Sequence, residues 1–270
     1  MSIALVSCHV RTALTSMVGF LLLLSFAAAS NAFVVNSYMS GGETLYLKWG
    51  DNHAGTVGGT VYWSFIPAGT AGSTYCGTAC PGNSVDSINM EISPGGGFAP
   101  MLFTSLEPQI TAMMAQWSAY TGIQFVKLSS DSGVPIDDPL AVPPATGQIR
   151  IGVFAFAGGG GEGAAVGYSP PPNGGTAAGN ILFNANAYYQ NYPLSEGAAY
   201  SRMYAPNDFQ GLALHEFGHA IGLEHPPYDG SCPVMCVDSG CPVVIKRRLR
   251  ADDIAGAGFL YGTIFMNGFE

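Results

Sequence analysis

The stretch LHEFGHAIGLEH contains five residues whose types and spacing suit a site for one metal ion. They are His215, Glu216, His219, Gly222 and His225. On a helix that turns by about 100° per residue, His215 and His219 lie about 40° apart, so both imidazoles can reach the same ion. Gly222 can take the left-handed conformation that ends such a helix and returns His225 to that ion. Three neutral nitrogens leave one tetrahedral position to water, which is the composition of a catalytic zinc site.

Coincidence does not explain this pattern. The chain has 5 His and 37 Gly among 270 residues, and a shuffled chain of this composition would match the pattern about once in a hundred thousand trials. The shorter pattern HExxH also occurs on ordinary solvated helices, so Gly222 and His225 provide the specificity. Glu216 stands between two ligands, where its carboxylate can accept a proton from water. The sequence therefore predicts one catalytic zinc ion with Glu216 as general base and acid.

The pattern HExxHxxGxxH is the signature of the metzincin metallopeptidases, and HEFGHAIGLEH most resembles their matrixin subgroup, the matrix metalloproteinase type. Met235, in the segment CPVMC, resembles the methionine turn that metzincins carry beneath the zinc. The segment LRADDIAGAGFLYG, residues 249–262, resembles the closing matrixin helix. The segments YLKWGD and TVYWSFIP resemble the opening strands, so the likeness covers residues 45–262.

The resemblance implies an α+β metzincin (zincin-like) fold with a mixed twisted sheet, an active-site helix and a C-terminal helix. It implies that residues 33–270 form a single catalytic domain of a bacterial-type secreted enzyme. It also implies that Met235 packs beneath the ligands and that Ala165 lies on the edge strand that holds an extended substrate. That substrate is expected to be a protein or peptide, with extracellular matrix proteins as one class.

The chain departs from the matrixin pattern where the family holds its structural metals. No His occurs between His53 and His215, so the second matrixin zinc is expected to be absent. Leu182 stands where one of its ligands would be, and Asn184 and Asn186 replace the carboxylates of a calcium site, which weakens such a site. Calcium remains an alternative to plain solvation for three carboxylates of a proline-rich loop, namely Asp131, Asp137 and Asp138.

Residues 1–32 resemble a secretory signal. Arg11 gives a positive start, residues 14–29 are apolar, and residues 30–32 are a small-x-small cleavage site, so the mature chain is expected to begin at Phe33. A membrane anchor is the alternative, but the apolar stretch is shorter than the roughly 20 residues that a span needs. The protein is therefore expected to be secreted and extracellular, or periplasmic. No cysteine-switch motif is present, and no propeptide is expected between Phe33 and a first strand at 44–48.

The charge balance bears on the partners. With 18 Asp and Glu against 9 Lys and Arg, the chain is a poor partner for nucleic acid or an anionic membrane surface. We expect a monomer without stable membrane association. The basic run Lys246, Arg247, Arg248 and Arg250 is expected to be a solvated loop rather than a recognition patch.

The cysteines are expected to pair in an oxidising compartment. Cys76 and Cys80 form the predicted local disulfide, and two of Cys232, Cys236 and Cys241 are expected to brace the loop around Met235. Which two pair cannot be deduced from their spacing. A second zinc bound by these three thiolates is the alternative.

Hydrophobic periodicity predicts the remaining elements. Strands are expected at 44–48 and 60–66, as a hairpin or edge pair, and at 123–128, 148–156, 164–169 and 180–183. A helix is expected over 103–120, and the zinc helix over 209–221, capped by Asn207 or Asp208.

Together these features predict a secreted zinc endopeptidase. An adhesion or inhibitor-binding module that carries zinc without turnover is the alternative, but such a module would have no use for the base Glu216. A protease with one narrow target and a broad scavenging protease are both compatible with the sequence.

Overall fold

The computed structural model describes residues 33–158, 163–172, 175–191, 207–227, 229–237 and 246–262. All of them belong to one unit, Asn31–Glu270, and the predicted signal peptide 1–32 lies outside the described residues. The strands are β1 Val34–Val35, β2 Ser37–Ser40, β3 Glu43–Tyr46, β4 Thr60–Phe65, β5 Ser84–Val85, β6 Ser87–Glu91, β7 Phe98–Leu102, β8 Gln124–Lys127, β9 Ile149–Phe154, β10 Ala165–Gly167, β11 Ile181–Asn184, β12 Tyr188–Gln190, β13 Asn207–Asp208 and β14 Leu223–Glu224. The helices are α1 Glu107–Thr121, α2 Phe209–Ala220 and α3 Ala251–Tyr261.

The main sheet has the strand order β10-β11-β9-β4-β8, with β5 paired to β9 outside this path. Neighbours along the path are parallel except β10, which runs antiparallel to β11 at the edge. Every residue of β9 and β11 is buried, as expected for strands covered on both faces. Mixed sheets and three helices confirm the α+β class.

Helix α1 packs against helix α2. Ile110, Met113, Met114 and Trp117 recur at helical spacing and are buried, and Gly122 ends the helix with φ of 65°. The Trp117 indole N–H donates to the carbonyl of Leu214 in α2 at 2.9 Å. The helix predicted over 103–120 is therefore confirmed, with a first turn, Phe103–Leu106, in 3₁₀ conformation.

A second apolar cluster lies on the main sheet and includes the disulfide loop. Ile66, Phe154 and Leu182 are buried in it together with Cys76 and Cys80. The predicted Cys76–Cys80 disulfide is present, with the Cα atoms 5.5 Å apart. At Leu182, where the resemblance to matrixins would imply a zinc ligand, the side chain is fully buried in this apolar cluster.

The predicted pairing of 44–48 with 60–66 is wrong. Strand β3 pairs with β2, across a two-residue turn at Gly41 and Gly42 whose φ values of 60° and 86° match the favoured hairpin turns. Strand β4 instead lies inside the main sheet, where Val61 and Trp63 are buried. The expectation that the first strand lies at 44–48 is also wrong. Strand β1 already starts at Val34, and it pairs with β14.

A second sheet, with strand order β13-β12-β6-β7, was not predicted. Its strands β6 and β7 have the sequences SINME and FAPML, in which polar residues and a proline obscure the alternation that marks a strand. In the part of the chain that the structure describes, no helix is long and apolar enough to cross a membrane.

The proline-rich loop is held by a buried ion pair. Asp131 and Arg150 have fully buried side chains, and Arg150 Nη2 donates to Asp131 Oδ1 at 2.8 Å. Asp131 also accepts from the Ser64 hydroxyl at 2.6 Å and the Gly133 N–H at 2.9 Å. Solvation of Asp131 is therefore not observed, because donors of its own chain surround it. Asp137 and Asp138 likewise accept bonds, from Ser73 and Leu140.

Part of the basic run is buried rather than solvated. Arg247 is 8% exposed, and its Nε donates to Asp208 Oδ2 at 2.9 Å. The expectation of a wholly solvated run is wrong at this position because Asp208, at the start of α2, needs a cationic partner once it is buried. Among the three cysteines around Met235, Cys241 lies outside the described residues.

Candidate metal centre

Helix α2 supplies two candidate ligands and the candidate base. Asp208 begins it by accepting the Gly211 N–H at 2.9 Å, the side-chain cap expected of this residue type. Of the two predicted caps, Asp208 is the one observed. The helix then presents His215, Glu216 and His219 within two turns, with Glu216 only 4% exposed.

Gly222 turns the chain after α2. Its φ is 104°, and a Cβ there would lie 2.2 Å from the backbone oxygen of Leu47, so both conformation and space require glycine. The next two residues form β14, which pairs with β1. His225 follows directly and faces back toward α2.

The three histidines meet at one point. The Nε2 atoms of His215 and His225 lie 3.0 Å apart, those of His215 and His219 3.2 Å, and those of His219 and His225 2.9 Å. Nitrogen ligands of one tetrahedral zinc lie about 3.3 Å apart. The trio is the one group of metal-ligating side chains of this kind in the described part of the chain.

Backbone carbonyls fix the tautomers that a metal needs. Nδ1 of His215 lies 2.8 Å from the oxygen of Val234, and Nδ1 of His219 lies 2.8 Å from the oxygen of Leu223. These carbonyls can only accept, so both rings carry their proton on Nδ1 and present a lone pair at Nε2. Lone pairs that converge at these distances repel one another unless a cation lies between them. The donor set therefore fits a divalent metal ion.

Burial favours the neutral form of the three rings, which is the form that binds metal. Burial, and then the neighbouring His219, lowers the pKa of His215 to about 3. Burial also lowers the pKa values of His219 and His225, against the opposing charge of Glu224.

Glu216 lies beside the trio and is itself buried, whereas His225 is exposed. Burial raises the pKa of its carboxyl to about 8, and a hydrogen bond from the Gly167 N–H opposes that rise. A cation bound nearby would favour the carboxylate in the same way that any adjacent positive charge does. Gly167 also allows close contact, because a Cβ there would lie 2.4 Å from the backbone oxygen of Glu216.

Met235 lies under α2 in a turn that spans 233–236, here called the methionine turn. The side chain is 2% exposed, and a Cβ on Gly218 would lie 2.1 Å from its sulfur, so helix and turn are in direct contact. Asp253 in α3 holds the turn by accepting the N–H groups of Val234 at 2.9 Å and Met235 at 3.1 Å. Burial raises the pKa of Asp253, and these backbone bonds oppose the rise.

Ala165 lies on β10, the edge strand of the main sheet. Strand β10 pairs with β11 through Val166 and Leu182 at its centre. No strand of the described chain pairs with the other edge of β10. Gly167, in the same strand, lies against Glu216.

Several contributors to the site were not predicted from the sequence. The carbonyls of Val234 and Leu223 and the N–H of Gly167 are backbone groups, which every residue carries, so sequence cannot single them out. Asp253 is different, because it is the third residue of α3 and its carboxylate accepts the Arg250 N–H at 2.8 Å. An acidic residue in the first turn of a recognised helix often caps that helix, so the sequence could have indicated this role of Asp253.

Comparison with known proteins agrees with this geometry. The family model for matrixins, peptidase M10, matches residues 103–262, which is more than half of the chain and runs from α1 to the end of α3. Strands β1 to β7 lie before the matched region. No curated protein matches the chain.

Proposed function

The chain belongs to the matrixin family of metallopeptidases, and on that premise we propose that it is a secreted zinc endopeptidase that acts as a monomer. The observation that carries the proposal is the convergence of three Nε2 lone pairs beside the buried carboxyl of Glu216. Neutral imidazoles and an adjacent carboxyl that does not ligate the metal are the groups that metal-assisted peptide hydrolysis uses.

His215, His219 and His225 would hold the zinc ion, which when bound polarises the scissile carbonyl and makes an attacking water more acidic. Glu216 accepts the proton of that water and later passes it to the leaving amine. A hydrogen bond from the Gly167 N–H favours the carboxylate form of Glu216, which is the form that accepts a proton. Burial of Glu216 excludes bulk water that would otherwise compete for the proton.

The free edge of β10 is the proposed binding surface for substrate. An extended peptide can add to such an edge through main-chain hydrogen bonds. Ala165 lies on this edge and Gly167 contacts Glu216, so a bound main chain would pass the candidate base. This arrangement suits a protein or peptide substrate and recognises backbone more than side chains.

Secretion is part of the proposal, in a bacterial-type form that reaches the extracellular space or the periplasm. It is supported by the signal-like pattern of residues 1–32 and by the Cys76–Cys80 disulfide, because such bonds persist in oxidising compartments. Intact-mass analysis of the chain recovered from culture medium tests it, and a chain that retains residues 1–32 would contradict it.

The decisive experiment is digestion of a denatured protein mixture by the parent chain and by Glu216→Ala, each with and without a chelator. We expect cleavage by the parent to stop when the chelator removes zinc. Glu216→Ala should cleave about 10² to 10⁴-fold more slowly than the parent, with one zinc per chain in both. A parent chain that holds zinc but cleaves nothing would instead be a binding module. Equal cleavage by Glu216→Ala would remove the proposed base.

A further inference from the structure

One carboxylate oxygen joins three segments of the chain next to the metal centre. Glu224 precedes His225, and its Oε1 accepts from the side-chain amide of Asn36 at 2.6 Å and from the hydroxyl of Ser169 at 3.0 Å. Asn36 follows β1 and Ser169 follows β10. Glu224 thus links the ligand-bearing strand β14 both to the first strand and to the substrate edge.

Ser169 transmits this link to β10. It is 8% exposed, and its carbonyl accepts the Gly179 N–H at 3.1 Å. The preceding residue, Tyr168, donates its N–H to Asn180 at 2.9 Å. The backbone is therefore hydrogen-bonded at both Tyr168 and Ser169, and fixing Ser169 fixes the end of the edge strand.

The other side of Glu224 faces the metal ligands. Its Oε2 lies 3.9 Å from Nδ1 of His219, and that same Nδ1 bonds to the carbonyl of Leu223. Its side chain is 28% exposed, so the carboxylate is only partly hydrated. Glu224 is thus adjacent in sequence to one ligand and in space to another.

From these contacts we infer that Glu224 is a positioning residue: through Oε1 it sets the position of the substrate edge β10 relative to His219 and His225. The inference rests on the proposed function, because the position of this edge matters only if a peptide binds there. A displacement of about 1 Å between substrate and catalytic groups can cost about a hundredfold in rate. A single tether between edge and ligands would prevent such a displacement.

The design of the test uses the fact that both donors bind the same oxygen. Glu224→Gln keeps Oε1 as an acceptor for Asn36 and Ser169, whereas Glu224→Ala removes it. Ser169→Ala breaks the link from its other end without changing the ligand strand. Asp86→Asn, at an exposed site between β5 and β6, is the control for loss of one negative charge.

The readout is the ratio of kcat/KM for an extended peptide to that for a truncated peptide with the same scissile bond. If a variant merely contains fewer active molecules, kcat/KM falls equally for the extended and the truncated peptide, and the ratio does not change. A change in the ratio therefore reports contacts along the edge of β10. We expect the ratio to fall roughly tenfold in Glu224→Ala and Ser169→Ala, as for loss of one hydrogen bond to a charged group. Glu224→Gln and Asp86→Asn should stay within about twofold of the parent ratio. Zinc content should remain one per chain throughout.

A second readout needs no activity. Hydrogen exchange of the Tyr168 and Gly179 amides, in the zinc-loaded chains, should be faster in Glu224→Ala and Ser169→Ala than in the parent and Glu224→Gln. If the parent cleaves no peptide, the proposed function fails, and exchange alone decides on the tether. An unchanged ratio and unchanged exchange in Ser169→Ala would overturn the inference, as would a Glu224→Gln chain that behaves like Glu224→Ala.

Discussion

Asp253 and His215, from different helices, contact opposite sides of one residue in the methionine turn. Val234 donates its N–H to Asp253 Oδ2 at 2.9 Å, and its carbonyl lies 2.8 Å from Nδ1 of His215. The orientation of a candidate metal ligand thus depends on a carboxylate in the C-terminal helix. Such outer partners fix ring orientation in metal sites generally.

Asp253→Ala should therefore weaken both the fold and zinc binding. It leaves three backbone N–H groups without an acceptor, and we expect a loss of about 3 kcal/mol in the free energy of unfolding. Zinc affinity should fall by about 10 to 100-fold. Denaturant unfolding and competition with a chromophoric chelator measure the two effects. Asp252→Ala is the control, since the Asp252 carboxylate accepts the Ser231 hydroxyl at 3.0 Å, outside the methionine turn, and an equal effect there would contradict the assignment.

Gly167→Ala should lower peptide cleavage while a second glycine tolerates the same change. The added methyl would lie 2.4 Å from the backbone oxygen of Glu216, so strand β10 must move away from α2. We expect a loss of about a hundredfold in kcat/KM. Gly97→Ala is the control because nothing lies within 4 Å of its added Cβ. Comparable losses in the two variants would show that the contact at Gly167 is not the cause.

Arg150→Met should destabilise the chain by about 3 to 5 kcal/mol, because it leaves the buried carboxylate of Asp131 uncompensated. Adding Asp131→Leu should restore only part of this loss, since Ser64 and Gly133 then lose their acceptor. Urea unfolding of the single and double variants measures both values. Full recovery in the double variant would mean that those two bonds contribute little.

The matched control for this pair is Lys127→Met. It breaks the ion pair with Glu107, whose side chain is 37% exposed while that of Lys127 is 38% exposed. An exposed pair of this kind contributes about 0 to 1 kcal/mol. The contrast between the two variants tests burial rather than charge.

His53 should make a small contribution to stability that depends on pH. Its hydrogen bonds to Asp51 and then Glu43 raise the pKa of the ring in the folded chain. Since this pKa lies above its unfolded value of about 6.5, the stabilisation is complete below about pH 6.5 and disappears as the pH rises through the folded pKa. The difference in free energy of unfolding between the parent and His53→Gln should therefore shrink as the pH rises above about 6.5. NMR titration of the ring gives the pKa directly, and a value below 6.5 would contradict the reasoning.

The side chains of the candidate site could be predicted, whereas the contacts that orient them could not. His215 and His219 are readable because a helix has a fixed period, and Gly222 because few residues allow its turn. The N–H of Gly167 and the carbonyl of Val234 belong to the backbone, and only the packing of β10 and the methionine turn against α2 brings them to the site.

The same distinction applies to the fold. Helix α1 and strand β9 have clear periodic or apolar sequences and were predicted within a few residues. The pairing of β1 with β14 joins Val35 to Leu223, and no local pattern encodes so distant a partner. The sheet of β6 and β7 was missed because Pro100 and the polar residues of SINME weaken the alternation.

The pairing of β1 with β14 also sets an order of events during synthesis. The amide of Asn36 and the carboxylate of Glu224 are 188 residues apart in the chain. At the usual pace of translation, β1 waits about 10 to 40 s for its partner strand to be made. The closing of so long a loop is entropically costly and follows the local contacts. The third candidate ligand, His225, therefore takes its place late, and a ribosome-bound chain that ends before β14 lacks a complete candidate metal centre.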